Sequence, residues 1–262
     1  MSTTTNVPLL ACLSGTLVAN QALKISLQNG TFTPEFALNK YSAISALCSG
    51  STVANSVNGL ELHDAIFTFS DNPLDDKSCT SGIDIEFHVD HSEANAPLAL
   101  SQILYSASAA MEMMGDWTIN ASDLLIPAEL VPHHEWSLQY RASYLWDEFS
   151  ISDDEYYTVG LSLRSASSLR PHLIENIKRA CSQLTQDRVR IDVEKRTPSY
   201  DLCVTESNGI NFFRSRMCES VSFSAQLPNN RSADLGLLID ILFAAYRLEN
   251  NEACLISLVI EP

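Results

Sequence analysis

The chain has 262 residues, of which 45% are hydrophobic, and a formal net charge of −16 at pH 7. This length is enough for one large domain or for two small domains with hydrophobic cores. The strong acidity argues against binding to duplex nucleic acid, because affinity for phosphates comes from Lys and Arg. No uncharged apolar run approaches about 18 residues, and the N-terminus lacks the basic start of a secretory signal, so we expect a soluble, cytoplasmic protein without a membrane segment.

The negative charge is concentrated in the first half of the chain. Residues 1–131 hold 3 Lys and Arg against 14 Asp and Glu, whereas residues 132–262 hold 13 against 18. An acidic surface suits a partner with a basic surface, because the electric field steers the two proteins together. The alternative is a solvated acidic surface that only keeps the protein in solution.

The seven cysteines form no CxxC pair and are odd in number. Four of them fall at or near apolar positions of predicted helices or strands, where a reduced cysteine behaves as a small hydrophobic residue. We expect buried, reduced thiols, and therefore a reducing compartment. The four are Cys48, Cys181, Cys203 and Cys254.

The first predicted elements are an ambiguous segment, a helix and a strand. Residues 8–28 mix apolar residues without a single period, so a short hairpin and a helix are both possible. A helix is predicted to begin at Pro34 and to end at Gly50. The strand of residues 60–70 changes its alternation phase between Leu62 and Phe67, which predicts a bulge or burial on both faces.

The next unit is a strand followed by a helix. In residues 82–90 four apolar side chains alternate with ionisable ones, which predicts a strand with one apolar face. In residues 96–114 apolar side chains recur at helical spacing, and Gly115 is the expected stop. The helix is expected to pack on the apolar face of the strand. Residues 119–134 are interpreted as an ordered linker between two halves of the chain.

The second half begins with the clearest strand pattern. Aromatic and apolar residues alternate with polar ones in residues 136–146, and this strand is expected to form a long hairpin with residues 156–164. A long β segment over residues 210–227 is predicted to bend near Met217. The other predicted elements are a helix over 171–184, strands over 188–195 and 200–206, a nearly all-apolar helix from Ser232 to about residue 250, and a strand over 253–260.

These elements predict an α+β fold in two packed halves, 1–131 and 132–262. From residue 156 onward the order is strand, helix, strand, strand, helix, strand, which is the βαββαβ order of a ferredoxin-like sheet with helices on one face. The first half is interpreted in the same way, with residues 136–146 as its candidate closing strand. Both sheets are expected to be mostly antiparallel.

The strongest cluster of chemically active residues lies on the polar side of strand 82–90. Histidine nitrogens and carboxylate oxygens are suitable ligands for a metal ion, and the pair His88 and Asp90 is also a candidate for catalytic proton transfer. A sheet face open to solvent is polar in any protein, so an ordinary exposed face is the main alternative. The candidate metal ligands are His63, Asp84, Glu86, His88, Asp90 and His91.

Two other groups of residues stand out. One aromatic face of strand 136–146 is expected to be an interface, covered by the first half of the chain or by a second copy, because a strand whose only charges are Glu135 and Arg141 is poorly protected at an edge. A dense group of arginines is expected to lie on paired strands and to balance nearby acidic residues across the sheet. The aromatic residues are Trp136, Tyr140, Tyr144 and Trp146. The arginines are Arg188, Arg190, Arg214 and Arg216.

The sequence carries no GxSxG, P-loop, GxGxxG, HExxH or kinase motif, and we expect no cofactor. The leading hypothesis is a non-enzymatic, acidic protein-interaction module, such as an inhibitor, an immunity-type protein or an assembly subunit. Its partner would be a protein with a basic surface or a second copy of the chain. The alternative is a metal-dependent hydrolase that uses the His and Asp residues of strand 82–91.

Overall fold

The structure, a computed structural model, is a mixed α+β fold built around one antiparallel sheet. It describes residues 8–40, 60–70, 80–91, 100–130, 132, 157–169, 171–185, 189–192, 208–227 and 232–260. Within these ranges there are eight strands and six helices. None of the helices in the described ranges is long and apolar enough to span a membrane.

The eight strands all belong to the same sheet. They are β1 (Leu10–Ala19), β2 (Leu60–Phe69), β3 (Thr80–His91), β4 (Gly115–Ile126), β5 (Tyr157–Ser165), β6 (Arg190–Asp192), β7 (Glu219–Leu227) and β8 (Cys254–Ile260).

Five of the six helices have apolar residues in the main core on one face of the sheet, and the fifth in chain order packs on the other face. They are α1 (Gln21–Gln28), α2 (helical over 34–40, where the description stops), α3 (Leu100–Met114), α4 (Leu173–Thr185), α5 (Asn208–Arg214) and α6 (Ser232–Arg247).

The strand order is β2-β3-β1-β4-β8-β5-β7-β6. In each half the fourth strand neighbours the first, the first neighbours the third, and the third neighbours the second. The two halves meet where β4 pairs with β8, from Ala121 opposite Val259 to Ile126 opposite Cys254. The halves are therefore joined edge to edge in a single sheet.

The apolar side of strand β3 was predicted correctly. Ile83, Ile85, Phe87 and Val89 are each at most 5% exposed and belong to the main core. The bulge predicted in β2 is also confirmed, because the pairing of β2 with β3 shifts register between His63 and Ile66.

Helices α3 and α6 form the centre of the helical layer. A Cβ added at Gly236 of α6 would lie 2.7 Å from Ser101 Cα of α3, so the two backbones approach closely at that point. Asp240 of α6 is 4% exposed and accepts hydrogen bonds from the backbone N–H of Ser101, at 3.3 Å, and from its hydroxyl. The first N–H groups of a helix have no acceptor within that helix. Asp240 of α6 supplies such an acceptor for Ser101 of α3. The prediction of a nearly all-apolar, buried helix in this region is confirmed.

The ambiguous segment 8–28 is a strand followed by a helix. Asn20 separates them: its side chain accepts a hydrogen bond from Leu23 N at 2.9 Å and donates one to Met113 O at 2.9 Å. Asn is a preferred residue at this capping position because it satisfies one of the orphan N–H groups of the first turn.

The interpretation of residues 119–134 as a linker was wrong for residues 119–126, which belong to strand β4. Strand β4 occupies the middle of the sheet, paired with β1 on one side and with β8 on the other. Leu124 and Ile126 lie in the main core, whereas Leu125 lies in a smaller cluster on the opposite face. Residues 121–126 are buried on both faces, so this part of the strand shows no alternation of apolar and polar residues by which it could be recognised.

The long β segment predicted from residue 210 was wrong in its first part. Residues 208–214 form helix α5, and strand β7 begins at Glu219. Ile210, Phe213 and Met217 are spaced by three and four residues, and all three contribute to the smaller cluster. The predicted placement of Arg214 and Arg216 on a strand was therefore also wrong, since Arg214 ends helix α5 and Arg216 lies in the turn after it.

The predicted strand 136–146, with its candidate interface residues Trp136, Tyr140, Tyr144 and Trp146, lies outside the described residues and stays a prediction. Its expected role as the closing strand of the first half also stays a prediction; among the described strands, β4 and β3 are the neighbours of β1. Cys181 and Cys254 are buried as predicted and form no disulfide, whereas Cys48 and Cys203 lie outside the described residues.

Helix α2 covers the open edge of the sheet at strand β2. The Asn39 side chain accepts a hydrogen bond from Leu62 N at 3.1 Å and donates one to Leu62 O at 2.8 Å. Next to it, Glu35 accepts from Asp64 N at 3.0 Å, where Asp64 has the unusual φ of 52° in the bulge. These side chains occupy backbone groups that could otherwise pair with another chain.

We expect Asn39→Ala to lower the free energy of unfolding by about 1–2 kcal/mol, because two backbone groups of Leu62 lose their partner. Urea denaturation measures this change. Asn39→Asp keeps the acceptor for Leu62 N and loses the donor to Leu62 O, so its loss should be smaller. Equal stability of Asn39→Ala and the unaltered protein would show that these bonds do not hold the edge.

Candidate functional site

The sheet has two chemically different faces. One face is apolar and lies under α3, α4 and α6. The other, called the polar face below, carries the alternate side chains of the same strands, and α5 packs against its centre. Because helices cover the apolar face, we expect a functional site on the polar face.

The predicted cluster on strand β3 lies on the polar face. Asp84, Glu86 and His88 are partly exposed and alternate with the buried side chains of the same strand. The side chains of Asp90 and His91, which the prediction also included, lie outside the described part of the structure.

His63 stands opposite His88 in the pairing of β2 with β3, as the prediction required. His63 also approaches a carboxylate of helix α2, since its Nδ1 lies 3.9 Å from Glu35 Oε1. Among the side chains that the structure describes, no three His, Cys, Asp or Glu residues come close enough to hold a metal ion. The metal site, two of whose six residues are not described, stays a prediction.

Four acidic residues belong to α2, β2 and β3, the elements at one end of the sheet. We call Glu35, Asp64, Asp84 and Glu86 the acidic patch; each is exposed or partly exposed. In the described part of residues 1–131 the only Lys or Arg residues are Lys24 and Lys40, which belong to α1 and α2 and not to the strands. The strands at this end of the sheet therefore present negative charge without a described basic side chain among them.

A buried ion pair, not predicted from the sequence, lies at the centre of the polar face. Arg214 Nη2 of α5 donates a hydrogen bond to Asp123 Oδ2 of β4 at 2.8 Å, with side chains 10% and 0% exposed. Arg214 Nη1 also donates to Asn211 Oδ1 at 3.2 Å, which orients the guanidinium.

Burial changes the acidity of Asp123. Loss of water around the carboxylate raises its pKa from 3.8 to about 6. The Ser257 hydroxyl and the charges of Arg214 and Arg164 oppose this rise, because they favour the ionised form. The carboxyl group therefore changes charge at about pH 6, and its ionised form is favoured by the Ser257 hydroxyl and by Arg214 and Arg164.

Apolar contacts hold α5 on the sheet around this ion pair. Ile210, Phe213 and Met217 pack against side chains of β1, β4 and β8 in a cluster that is separate from the main core. We call the sheet side of this contact the docking strip. It consists of Leu10, Cys12, Asp123, Leu125 and Leu255.

The outer side of α5 is exposed. Phe212 is 50% exposed, and the Arg216 guanidinium lies over its ring at 4.0 Å from the centroid. Four arginines were expected to lie on paired strands. Of these, Arg214 is only 10% exposed, Arg190 and Arg216 are exposed, and Arg188 lies outside the described residues. They do not act as one basic patch, because Arg214 is engaged by Asp123.

Comparison with known proteins adds no relative: no family model, no curated protein and no solved structure matches the chain. A function for the chain has to be inferred from its own residues.

Proposed function

We propose that this chain is a non-enzymatic protein-interaction module that binds a partner with a basic surface. The acidic patch is its contact region. The observation that carries the proposal is the partial exposure of Asp84 and Glu86 on a strand whose opposite side is fixed in the main core.

The rigidity of strand β3 supports this role. Its buried side chains lie in the core, and it pairs on both sides, with β1 and with β2. Carboxylates on such a strand lose less conformational freedom on binding than carboxylates on a flexible acidic tail would. The smaller entropy cost favours binding through the strand. Because the patch is exposed, dissolved salt should screen its attraction for a cation. At ordinary ionic strength this attraction should extend over only about 10 Å.

We infer that each half, 1–131 and 132–262, is a ferredoxin-like unit. In support, the order within each half, fourth strand beside first, first beside third and third beside second, fits a βαββαβ unit with antiparallel neighbours. The boundary at residue 131 falls between β4 and β5. Two such units sharing one sheet provide a wide polar face, which suits a protein partner better than a small substrate.

The proposal predicts that reversing two charges of the patch weakens binding to a basic probe. We expect Asp84→Lys with Glu86→Lys to lower the affinity for a fluorescent oligolysine peptide about tenfold or more at low salt, because attraction becomes repulsion. Fluorescence anisotropy measures the affinity, and added salt should reduce the difference between the proteins.

The matched control is Glu175→Lys with Glu252→Lys, two exposed acidic residues elsewhere on the fold. This control changes the net charge by the same amount, so it reports the effect of overall charge alone. We expect it to lower the affinity less than about threefold. An equal loss in both double variants would mean that the patch has no special role, and the proposal would be withdrawn.

A further inference from the structure

The contact between α5 and the docking strip resembles a bound ligand more than a part of the core. The sheet separates its apolar cluster from the main core. Helix α5 spans only Asn208–Arg214, and an isolated helix of this length is unstable in water. Its place on the sheet therefore depends on a few contacts that its own side chains make.

Those contacts have a definite chemistry. The strip offers three leucines and one buried carboxylate, and α5 answers them with apolar residues at helical spacing and an arginine. Arg214 places a positive charge beside a carboxylate that is 0% exposed. An occupant of the strip that also brings a positive charge would keep this carboxylate ionised and paired.

We propose that α5 is an internal ligand, which can leave the docking strip and give place to a short, basic, amphipathic helix of a partner protein. This inference rests on the proposed function, because it takes the basic partner from there. It adds a second contact region, in which the partner's apolar residues are recognised, and it makes α5 the competitor of that partner.

The position of the strip next to the acidic patch supports one partner for both. In the sheet, Cys12 of the strip stands between Glu86 on one side and Asp123 on the other. A partner that binds Glu86 therefore has the strip as its next neighbour on the same face. If α5 left the docking strip, an apolar surface would be exposed next to the acidic patch.

Cysteine labelling can detect departure of α5 within the folded protein. Cys12 is 0% exposed and belongs to the cluster under α5, whereas Cys181 and Cys254 lie in the main core. Burial raises the pKa of Cys181 and of Cys254 to about 12. Both should therefore react with a thiol reagent only on global unfolding. We expect Cys12 to react at least about tenfold faster than either, since local opening requires less free energy than unfolding.

Two neighbouring phenylalanines give a matched pair of variants. Phe213 packs in the cluster, whereas Phe212 is 50% exposed. Phe213→Ala should raise the labelling rate of Cys12 about tenfold, and Phe212→Ala should change it less than about threefold, while Cys12 stays faster than Cys254 in every variant. Mass spectrometry of peptides assigns the label to each cysteine. If Cys12 reacts at the rate of Cys254 in all three proteins, α5 does not leave separately and the inference is overturned.

Competition tests the nature of the occupant. A synthetic peptide of residues 208–217, added at about 1 mM to the full-length Phe213→Ala variant, should slow labelling of Cys12 about threefold, because the tethered helix competes at a comparable effective concentration. The same peptide with Glu in place of Arg214 should not slow it.

If neither peptide protects Cys12, or both protect it equally, the strip does not recognise a basic amphipathic helix and the docking inference fails. The charge-reversal experiment on Asp84 and Glu86 is independent of this result. A loss of oligolysine binding there, together with no protection here, would keep the proposed function and remove the internal-ligand inference.

Discussion

Arg214→Met is expected to lower the free energy of unfolding by about 3–5 kcal/mol at about pH 8, which is typical of removing one partner of a buried ion pair. Arg214 is only 10% exposed and donates to Asp123, which is 0% exposed, at 2.8 Å. Without the guanidinium, the ionised carboxylate stays buried among the apolar side chains of the docking strip. Urea denaturation followed by circular dichroism measures the loss.

The loss should be clearly smaller at about pH 5, below the folded-state pKa of Asp123 of about 6. The folded-state pKa is raised above the ordinary value of 3.8. The stability contributed by protonated Asp123 is therefore fully present below 3.8 and is lost as the pH rises to about 6. Removing Arg214 raises this pKa further, because its charge favours the ionised form. The two proteins should therefore differ most above pH 6.

Arg179→Met is the control, because Arg179 is exposed and donates only to Asn176, at 3.0 Å. It should cost less than about 0.5 kcal/mol at either pH. A loss for Arg214→Met that is the same at both pH values would show that packing, and not the charge of Asp123, determines the contribution of Arg214.

Tyr246→Ala should lower the free energy of unfolding by about 3–5 kcal/mol, the usual cost of removing a large buried side chain. Tyr246 of α6 is among the largest fully buried side chains of the described structure. Its hydroxyl forms a 2.8 Å hydrogen bond with the hydroxyl of Ser165, which is 0% exposed. The residue thus fixes α6 to the end of β5 by packing and by one buried polar contact.

Tyr246→Phe separates these two contributions. It keeps the ring and removes the hydroxyl, so the expected loss is about 1–2 kcal/mol, the cost of leaving a buried partner short of one hydrogen bond. Ser165 Oγ still accepts from Ser167 N at 3.3 Å, which limits the cost. Denaturant midpoints of both variants give the comparison. A loss for Tyr246→Phe as large as that for Tyr246→Ala would mean that the ring contributes nothing.

The parts of the fold that the sequence predicted are those with one buried and one open side. Strand β3 alternates because its two faces meet different surroundings, and β8 and α6 were recognised by their apolar runs. The same principle explains the failures at β4, whose residues 121–126 are buried on both faces, and at α5, where seven residues are too few to show a helical period.

The candidate site was predictable only in its local part. Asp84 and Glu86 share a face because they are two residues apart on one strand, and this follows from sequence spacing alone. Asp123 and Arg214 are 91 residues apart, and their contact depends on how α5 crosses the sheet. A single carboxylate just before the apolar run of residues 124–126 was the only signal of a buried partner for Arg214.

Pairing of β8 with both β4 and β5 has a consequence for synthesis of the protein. β8 is the last described strand of the sheet in chain order, yet it lies between two strands that are made much earlier. Until β8 has been synthesised, β4 and β5 each keep an edge of unpaired backbone groups beside apolar side chains. The nascent chain therefore has two strand edges, at the middle of the future sheet, that can pair with another chain. A chaperone would be most useful there, and premature termination before β8 would leave both edges open.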